Sequence, residues 1–242
     1  FCSHCYMRNK FIWVLKMKIF VKCYKCGPEE EAALLEIGNT NLHQVICDNG
    51  HETPIVITQQ KHEILFEVAA YAIIDGYNRE AISSFAASLE RYYEFFLKVI
   101  SVGMPKGVFE NAWKQVASQS ERQLGAYIFT YVSFYHSLPD TLSQSLTTLR
   151  NNVIHKGYIP SRAEAVALGE AVAKIINAGC DLLQATKRGE LNEIIRQTMC
   201  PNNDSNYQTY ILHTYLNCLS KSTNTSLEEH LKSVQTHNKP RF

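Results

Sequence analysis

The sequence predicts a mainly α fold, an antiparallel helical bundle preceded by a small β module. Three observations predict it. From about residue 60 to 187, apolar residues recur at helical spacing in long segments joined by short links. Ahead of them, residues 17–58 alternate short strand-like runs with turns rich in Cys, His and Gly. The chain has 242 residues and is 45% hydrophobic, enough for one substantial core and a small appendage.

Residues 1–16 read as an upstream extension, because Met17-Lys18-Ile19-Phe20-Val21-Lys22-Cys23 looks like a normal opening strand. In residues 17–58, Ile19-Phe20-Val21 enters Cys23-Tyr24-Lys25-Cys26-Gly27. Val45-Ile46 enters Cys47-Asp48-Asn49-Gly50-His51, and Pro54-Ile55-Val56-Ile57 leaves it. Two such knuckles bring together four soft or borderline donors, as tetrahedral zinc requires, so the segment reads as a zinc ribbon. Gly27 and Gly50 suit turns with positive φ. The expected ligands are Cys23, Cys26, Cys47 and His51. With all four positions filled by protein, the Zn2+ is structural rather than catalytic. Cys2-x2-Cys5 with Cys23-x2-Cys26 is also a legitimate four-cysteine spacing, and Cys2 and Cys5 could hold a second ion or none. The set ending in His51 is preferred because each half closes on a glycine-containing turn between strand-like segments.

Residues 59–187 form the expected bundle. Ile64, Leu65, Val68, Ala69, Ala72 and Ile73 give a stripe ending at Asp75-Gly76. Residues 79–102 continue with Ile82, Phe85, Leu89, Tyr92, Tyr93, Phe96 and Ile100, and break at Gly103-Met104-Pro105. One long helix is expected over about 108–136, with Trp113, Leu124, Ile128 and Tyr131 inward. The next spans about 141–155, with Thr141 and Gln144 as its capping box. Ser161-Arg162-Ala163-Glu164 opens a last helix reaching about 187. Residues 188–242 are a C-terminal helical extension: helices at 189–199 and 206–219, a polar linker, and a short final helix. Cys180, Cys200 and Cys218 stand alone and read as buried or incidental.

The residues with chemistry lie at the end of the 141–155 helix, in Leu149-Arg150-Asn151-Asn152-Val153-Ile154-His155-Lys156-Gly157. Leu142, Leu146, Leu149 and Val153 define its buried stripe. At about 100° per residue, Asn151 and His155 share the side facing away, and the long Arg150 side chain can bend toward them. A plain helix end explains the same residues, since its partial negative charge favours His, Lys and Arg, with glycine as the cap.

Arg150-Asn151-Asn152-Val153-Ile154-His155, followed by a Gly-Tyr-Ile-Pro link and another long helix, resembles the HEPN domains. Their hallmark is an Arg, often followed by Asn, with a His four to six residues after it near a helix end. Asp75-Gly76-Tyr77-Asn78-Arg79-Glu80-Ala81 and Ser88-Leu89-Glu90-Arg91-Tyr92-Tyr93-Glu94-Phe95-Phe96 are similar to that family's opening helices, so the likeness covers roughly residues 60–187. It implies a metal-independent RNA endonuclease whose Arg and His meet at a homodimer interface, or a member that only binds nucleic acid or a partner protein. It further implies a toxin or anti-phage effector held by an inhibitor or antitoxin.

RNA is the substrate that needs least equipment, because its 2′-hydroxyl is a nucleophile beside the scissile phosphate. His155 would move the proton, Arg150 would neutralise the phosphorane, and Asn151 would hold the imidazole or a phosphate oxygen. The products would be a 2′,3′-cyclic phosphate and a 5′-hydroxyl. Glu90 is an accessory candidate, although Glu90 and Glu94 could equally form a solvated face with Arg91 and Lys98. Lys156 suits a flanking phosphate or a helix cap. The rival class is a non-catalytic binding module in which Arg150 and His155 only close a dimer contact.

A net charge of +1 excludes a wholesale nucleic-acid coat but not a local site. The cations Arg8, Lys10, Lys16, Lys18, Lys22 and Lys25 precede the first acid, Glu29, and make either a phosphate-binding face or a solvated basic end. No run approaches the roughly 20 apolar residues of a membrane span, and no secretory signal pattern is evident. CxxC pairs read as reduced ligands place the protein in the cytoplasm, away from membranes.

Overall fold

The structure is a computed structural model that describes residues 18–20, 23, 25–26, 34–36, 38–199, 207–212, 214–220 and 225–237. It is mainly helical. The strands are β1 (Lys18–Phe20), β2 (Leu34–Glu36), β3 (Leu42–Ile46), β4 (Glu52–Ile57) and, near the C-terminus, β5 (Gln208–Tyr210). The helices are α1 (Lys61–Ile74), α2 (Asn78–Ile100), α3 (Val108–Val116), α4 (Ser120–Tyr135), α5 (Gln144–Lys156), α6 (Arg162–Thr186), α7 (Arg188–Met199) and α8 (Leu227–His237). β1 and β2 pair antiparallel. β3 and β4 form an antiparallel hairpin, to which β5 adds in parallel with Ile55 opposite Gln208 and Ile57 opposite Tyr210. Residues 1–16, with Cys2 and Cys5, lie outside the described residues, as do Gly27 and Cys200.

α2 is the axis of the bundle, with α1, α4, α5, α6 and α7 packed against it. Its Ile82, Phe85, Tyr92 and Phe96 are fully buried together with Phe66 of α1 and Leu168, Ile176 and Leu183 of α6. Tyr93 and Phe96 meet the buried Tyr127 of α4 at ring separations of 4.6 and 5.0 Å. α6 begins where the sequence says: Ser161 Oγ accepts from the Glu164 amide, and the Glu164 carboxylate accepts from the Ser161 amide.

α6 also passes close to α2. A Cβ built on Gly179 would collide with the Tyr92 hydroxyl and ring, and one on Gly169 would lie 2.5 Å from Leu227 and 2.7 Å from Phe85. Alanine gains about 1 kcal/mol of helix propensity over glycine, whereas overpacking a tight core costs about 1–3 kcal/mol. Tyr92 is fully buried with nowhere to move, so packing wins. Gly179→Ala is expected to lower the urea midpoint at unchanged m-value.

Several elements differ from the sequence reading. The expected 108–136 helix is two helices. Gln119 is extended (φ −135°, ψ 121°), and Gln123 Nε2 donates to the Ala117 carbonyl at 2.6 Å, which satisfies the end of α3. α5 starts at Gln144 on a Ser143 cap, whose Oγ accepts from Leu146 N, instead of on a Thr141–Gln144 box. The expected 206–219 helix is instead β5 followed by an irregular strap across α1. Its polar backbone is met by side chains: Gln59 bonds both the amide and the carbonyl of Leu212, and Gln184 donates to the Cys218 carbonyl. Cys180 and Cys218 are not solitary. They form a disulfide across 38 residues, with 5.2 Å between their α-carbons.

The strap explains why the α1 stripe is rotated from its apolar pattern. Glu63 Oε1 accepts from the Cys218 amide at 2.6 Å, and Glu67 Oε2 accepts from the Tyr215 amide at 3.2 Å. His62, Glu63 and Glu67 are therefore buried while Ile64, Leu65 and Val68 are half-buried. Burial pushes the Glu63 carboxyl up to about 7 and the His62 imidazole down to about 3. The segment assigned to the C-terminal extension thus completes the sheet beside β4 and packs on α1 and α6. Among the described residues, no helix is long and apolar enough to cross a membrane.

Candidate functional site

α5 presents the Arg–Asn–His segment between a serine cap and Gly157, whose φ of 70° suits a residue without Cβ. Val153 is fully buried and, with the half-buried Leu142, Leu146 and Leu149, fixes the rotation of the helix. Arg150 follows that rotation inward. One guanidinium nitrogen donates to Glu90 Oε1 at 2.7 Å and the other to Asn151 Oδ1 at 2.9 Å. The Arg150 side chain is only 14% exposed, and that of Glu90 26%. Glu94, not Glu90, pairs with Arg91 at 2.5 Å and Lys98 at 2.9 Å, and at 18% exposure it is no more solvated than Glu90.

Glu90, Arg150 and Asn151 open onto a groove of about 290 Å³ between α2, α4 and the start of α5. Leu89, Leu124, Ile128 and Leu142 form its apolar wall, and Glu121 and Thr147 add polar groups. His155 does not line it. It is exposed on the last turn of α5, as is Lys156. The geometry corrects one expectation: Asn151 bonds Arg150 and does not hold the imidazole, and Arg150 turns to Glu90 instead of bending toward His155. Among the described residues, His155 makes no hydrogen bond or salt bridge.

Glu121 is the residue that the sequence reading missed. It lies on the first turn of α4, and its carboxyl is held below the usual range. The causes are first its helix-start amide, then the Ser120 hydroxyl, then the charges of Arg150 and His155. It therefore lies within electrostatic reach of both side chains, which otherwise face different ways.

The second cluster is in the β module. Cys23, Cys26, Cys47 and His51 place their ligand atoms within 4.8 Å of one another and could hold a metal ion. His51 Nδ1 lies 3.1 Å from Cys26 Sγ, 3.6 Å from Cys47 Sγ and 3.9 Å from Cys23 Sγ, and Cys26 and Cys47 sulfurs are 3.6 Å apart. Backbone turns set this geometry. The Cys26 amide donates to the Cys23 carbonyl, the Gly50 amide to the Cys47 carbonyl with φ 77° at Gly50, and Lys25 Nζ ties one knuckle to the Glu52 carbonyl of the other. Asn49 Nδ2 donates to Cys26 Sγ at 3.3 Å. Cys23 and Cys47 are buried, so a bound ion would be largely shielded from water.

No family model matches the chain, and comparison with curated proteins and with solved structures finds no similar protein.

Proposed function

We propose that the protein is a HEPN-type, metal-independent RNA endonuclease that works as a homodimer, with a structural Zn2+ in its β module. The observation that carries this reading is the meeting of Arg150, Glu90 and Asn151 at a groove, one turn from an exposed, unpartnered His155. Arg150 would offer paired N–H donors to the pentacoordinate phosphorane, and Glu90 would aim them. His155, exposed at the end of α5, would move the 2′-hydroxyl proton.

Arg150 and His155 of one chain face different surfaces, which supports a composite site in which the second copy supplies the imidazole. Apolar side chains on α4 and in the links on either side of α5 are suited to being covered. Phe129, Leu138 and Ile159 are 78%, 79% and 80% exposed, and Tyr158 is nearly half exposed. Among the described residues α3 buries none, α4 only Gln123 and Tyr127, and α5 only Val153. Exposed apolar groups of this kind mark an interaction face. The biological role as a toxin or anti-phage effector restrained by an inhibitor rests on the family likeness alone.

Zinc is assigned from the donor set. A tetrahedron with Zn–S of about 2.3 Å has S···S edges of roughly 3.8 Å, close to the 3.6 Å between the Cys26 and Cys47 sulfurs. Three cysteines and a histidine are a structural zinc set, and the ligands leave no position for substrate.

The Arg150–Glu90 pair favours a second reading: an arginine already satisfied by a carboxylate, apart from its histidine, suits a binding module without catalysis. Incubation with total RNA in EDTA separates the two. The enzyme yields fragments ending in 2′,3′-cyclic phosphate and 5′-hydroxyl. RNA left intact at every protein concentration would reject the nuclease.

A further inference from the structure

A second group of soft donors lies beneath the strap, and the ribonuclease reading makes no use of it. His62 on the first turn of α1, Cys180 near the end of α6 and Cys218 on the strap place their ligand atoms within 4.8 Å of one another. All three are buried, at 1%, 4% and 1% exposure. His62 Nε2 is 3.3 Å from Cys218 Sγ, its only hydrogen-bonding neighbour among the described residues.

Each donor is fixed by groups around it. The His62 ring lies against Phe95 and Tyr92, at 4.9 and 5.6 Å, and its carbonyl accepts from Ser88 Oγ at 2.7 Å. The Cys218 amide is held by Glu63 and its carbonyl by Gln184, so the residue stays in place whatever the state of its sulfur. A cleft of about 790 Å³ between α1, the end of α2 and α7 has His62 in its wall.

We propose that, once the Cys180–Cys218 disulfide is reduced, His62, Cys180 and Cys218 bind a second zinc ion, and that reoxidation to the disulfide releases it. Two thiolates neutralise a dication, so the buried centre carries no net charge, and an imidazole completes three protein ligands. A water molecule takes the fourth position. The chemistry balances with a low-molecular-weight thiol as reductant. Two RSH become RSSR and pass two electrons and two protons to the disulfide, which becomes two thiols. Zinc then displaces both thiol protons. A low-molecular-weight disulfide runs the sequence backwards: RSSR takes two electrons from the two thiolates and leaves as two RS−, which solvent protonates, while the disulfide re-forms and Zn2+ departs. The strap stays fastened to α6 in either state, by a covalent bond or by a shared ion.

The test counts zinc in the full-length protein. Protein reduced with dithiothreitol and exchanged into zinc buffer is expected to hold two equivalents, and protein oxidised with zinc present only one. Reduced His62→Gln keeps both cysteines and should bind one equivalent while still forming the disulfide on oxidation, which shows that it has folded. Reduced Cys180→Ser should also bind one. Cys26→Ser should lose the β-module ion and retain the redox-dependent one, so the two sites fail separately. A single equivalent in reduced wild type overturns the proposal. So does retention of two in Cys180→Ser, which would place the second ion elsewhere, as on Cys2 and Cys5.

Discussion

Cys47→Ser is expected to lose one zinc equivalent and, with it, the folded knuckles, while the helical bundle survives. The reason is the balance of terms in the β module. Among the described residues, the buried side chains of its core cluster are Val45, Ile55, Ile57 and Leu212. Burying such side chains contributes about 1.5–3 kcal/mol each, whereas ordering each residue costs about 1–2 kcal/mol of backbone entropy. Four side chains cannot order the segments around Cys23–Cys26 and Cys47–His51. A structural zinc, with an apparent contribution of about 10–16 kcal/mol, can. β4 should behave differently from the knuckles, because Ile55, Val56 and Ile57 are buried and β5 pairs with them. Hydrogen exchange should therefore show loss of protection at residues 42–51 and retention at 55–57, with the helical circular dichroism little changed. Uniform protection in a zinc-free Cys47→Ser protein would show that the metal does not hold this module.

Legibility in the sequence follows the range of the interactions. The α6 start is readable because Ser161 and Glu164 bond within one turn, and the cluster of four potential metal ligands because each knuckle is encoded in five residues. The break between α3 and α4 is not, since apolar spacing runs on through it. It is made by the Gln123 side chain, itself held by Arg91, 32 residues earlier. The strap was misread for the same reason. Its spacing of aromatic and apolar residues reads as a helix, yet the partners that make it a strand and a disulfide lie at Ile55–Ile57 and Cys180. Spacing alone cannot pair cysteines that are 38 residues apart.

The candidate site shows the same division. Periodicity placed Val153 inward and His155 outward, and both stand there. Nothing local announces that Arg150 crosses to Glu90, a partner 60 residues away. Glu121 was invisible while 108–136 read as one helix. It becomes a first-turn acid beside Arg150 only because α4 starts anew at Ser120.

His155→Ala is expected to cut RNA cleavage by about 10²–10⁴, the range of a general acid–base group, while leaving thermal stability unchanged because the side chain is exposed and unpartnered. Arg150→Lys should lose activity on a similar scale, since an ammonium cannot keep a bond to Glu90 and present paired donors to a phosphate. Its stability loss should be small, because the ion pair is partly exposed on the Glu90 side. The two faces of α5 make the stronger test. With Arg150 in the groove and His155 outside it, a dimer would join the arginine of one chain to the histidine of the other. Mixing inactive Arg150→Ala with inactive His155→Ala protein should then restore about one quarter of wild-type activity, because half of the dimers are mixed and each has one intact site. If both groups acted within one chain, no mixture would recover activity, and the composite site would have to be abandoned even if each single variant is dead.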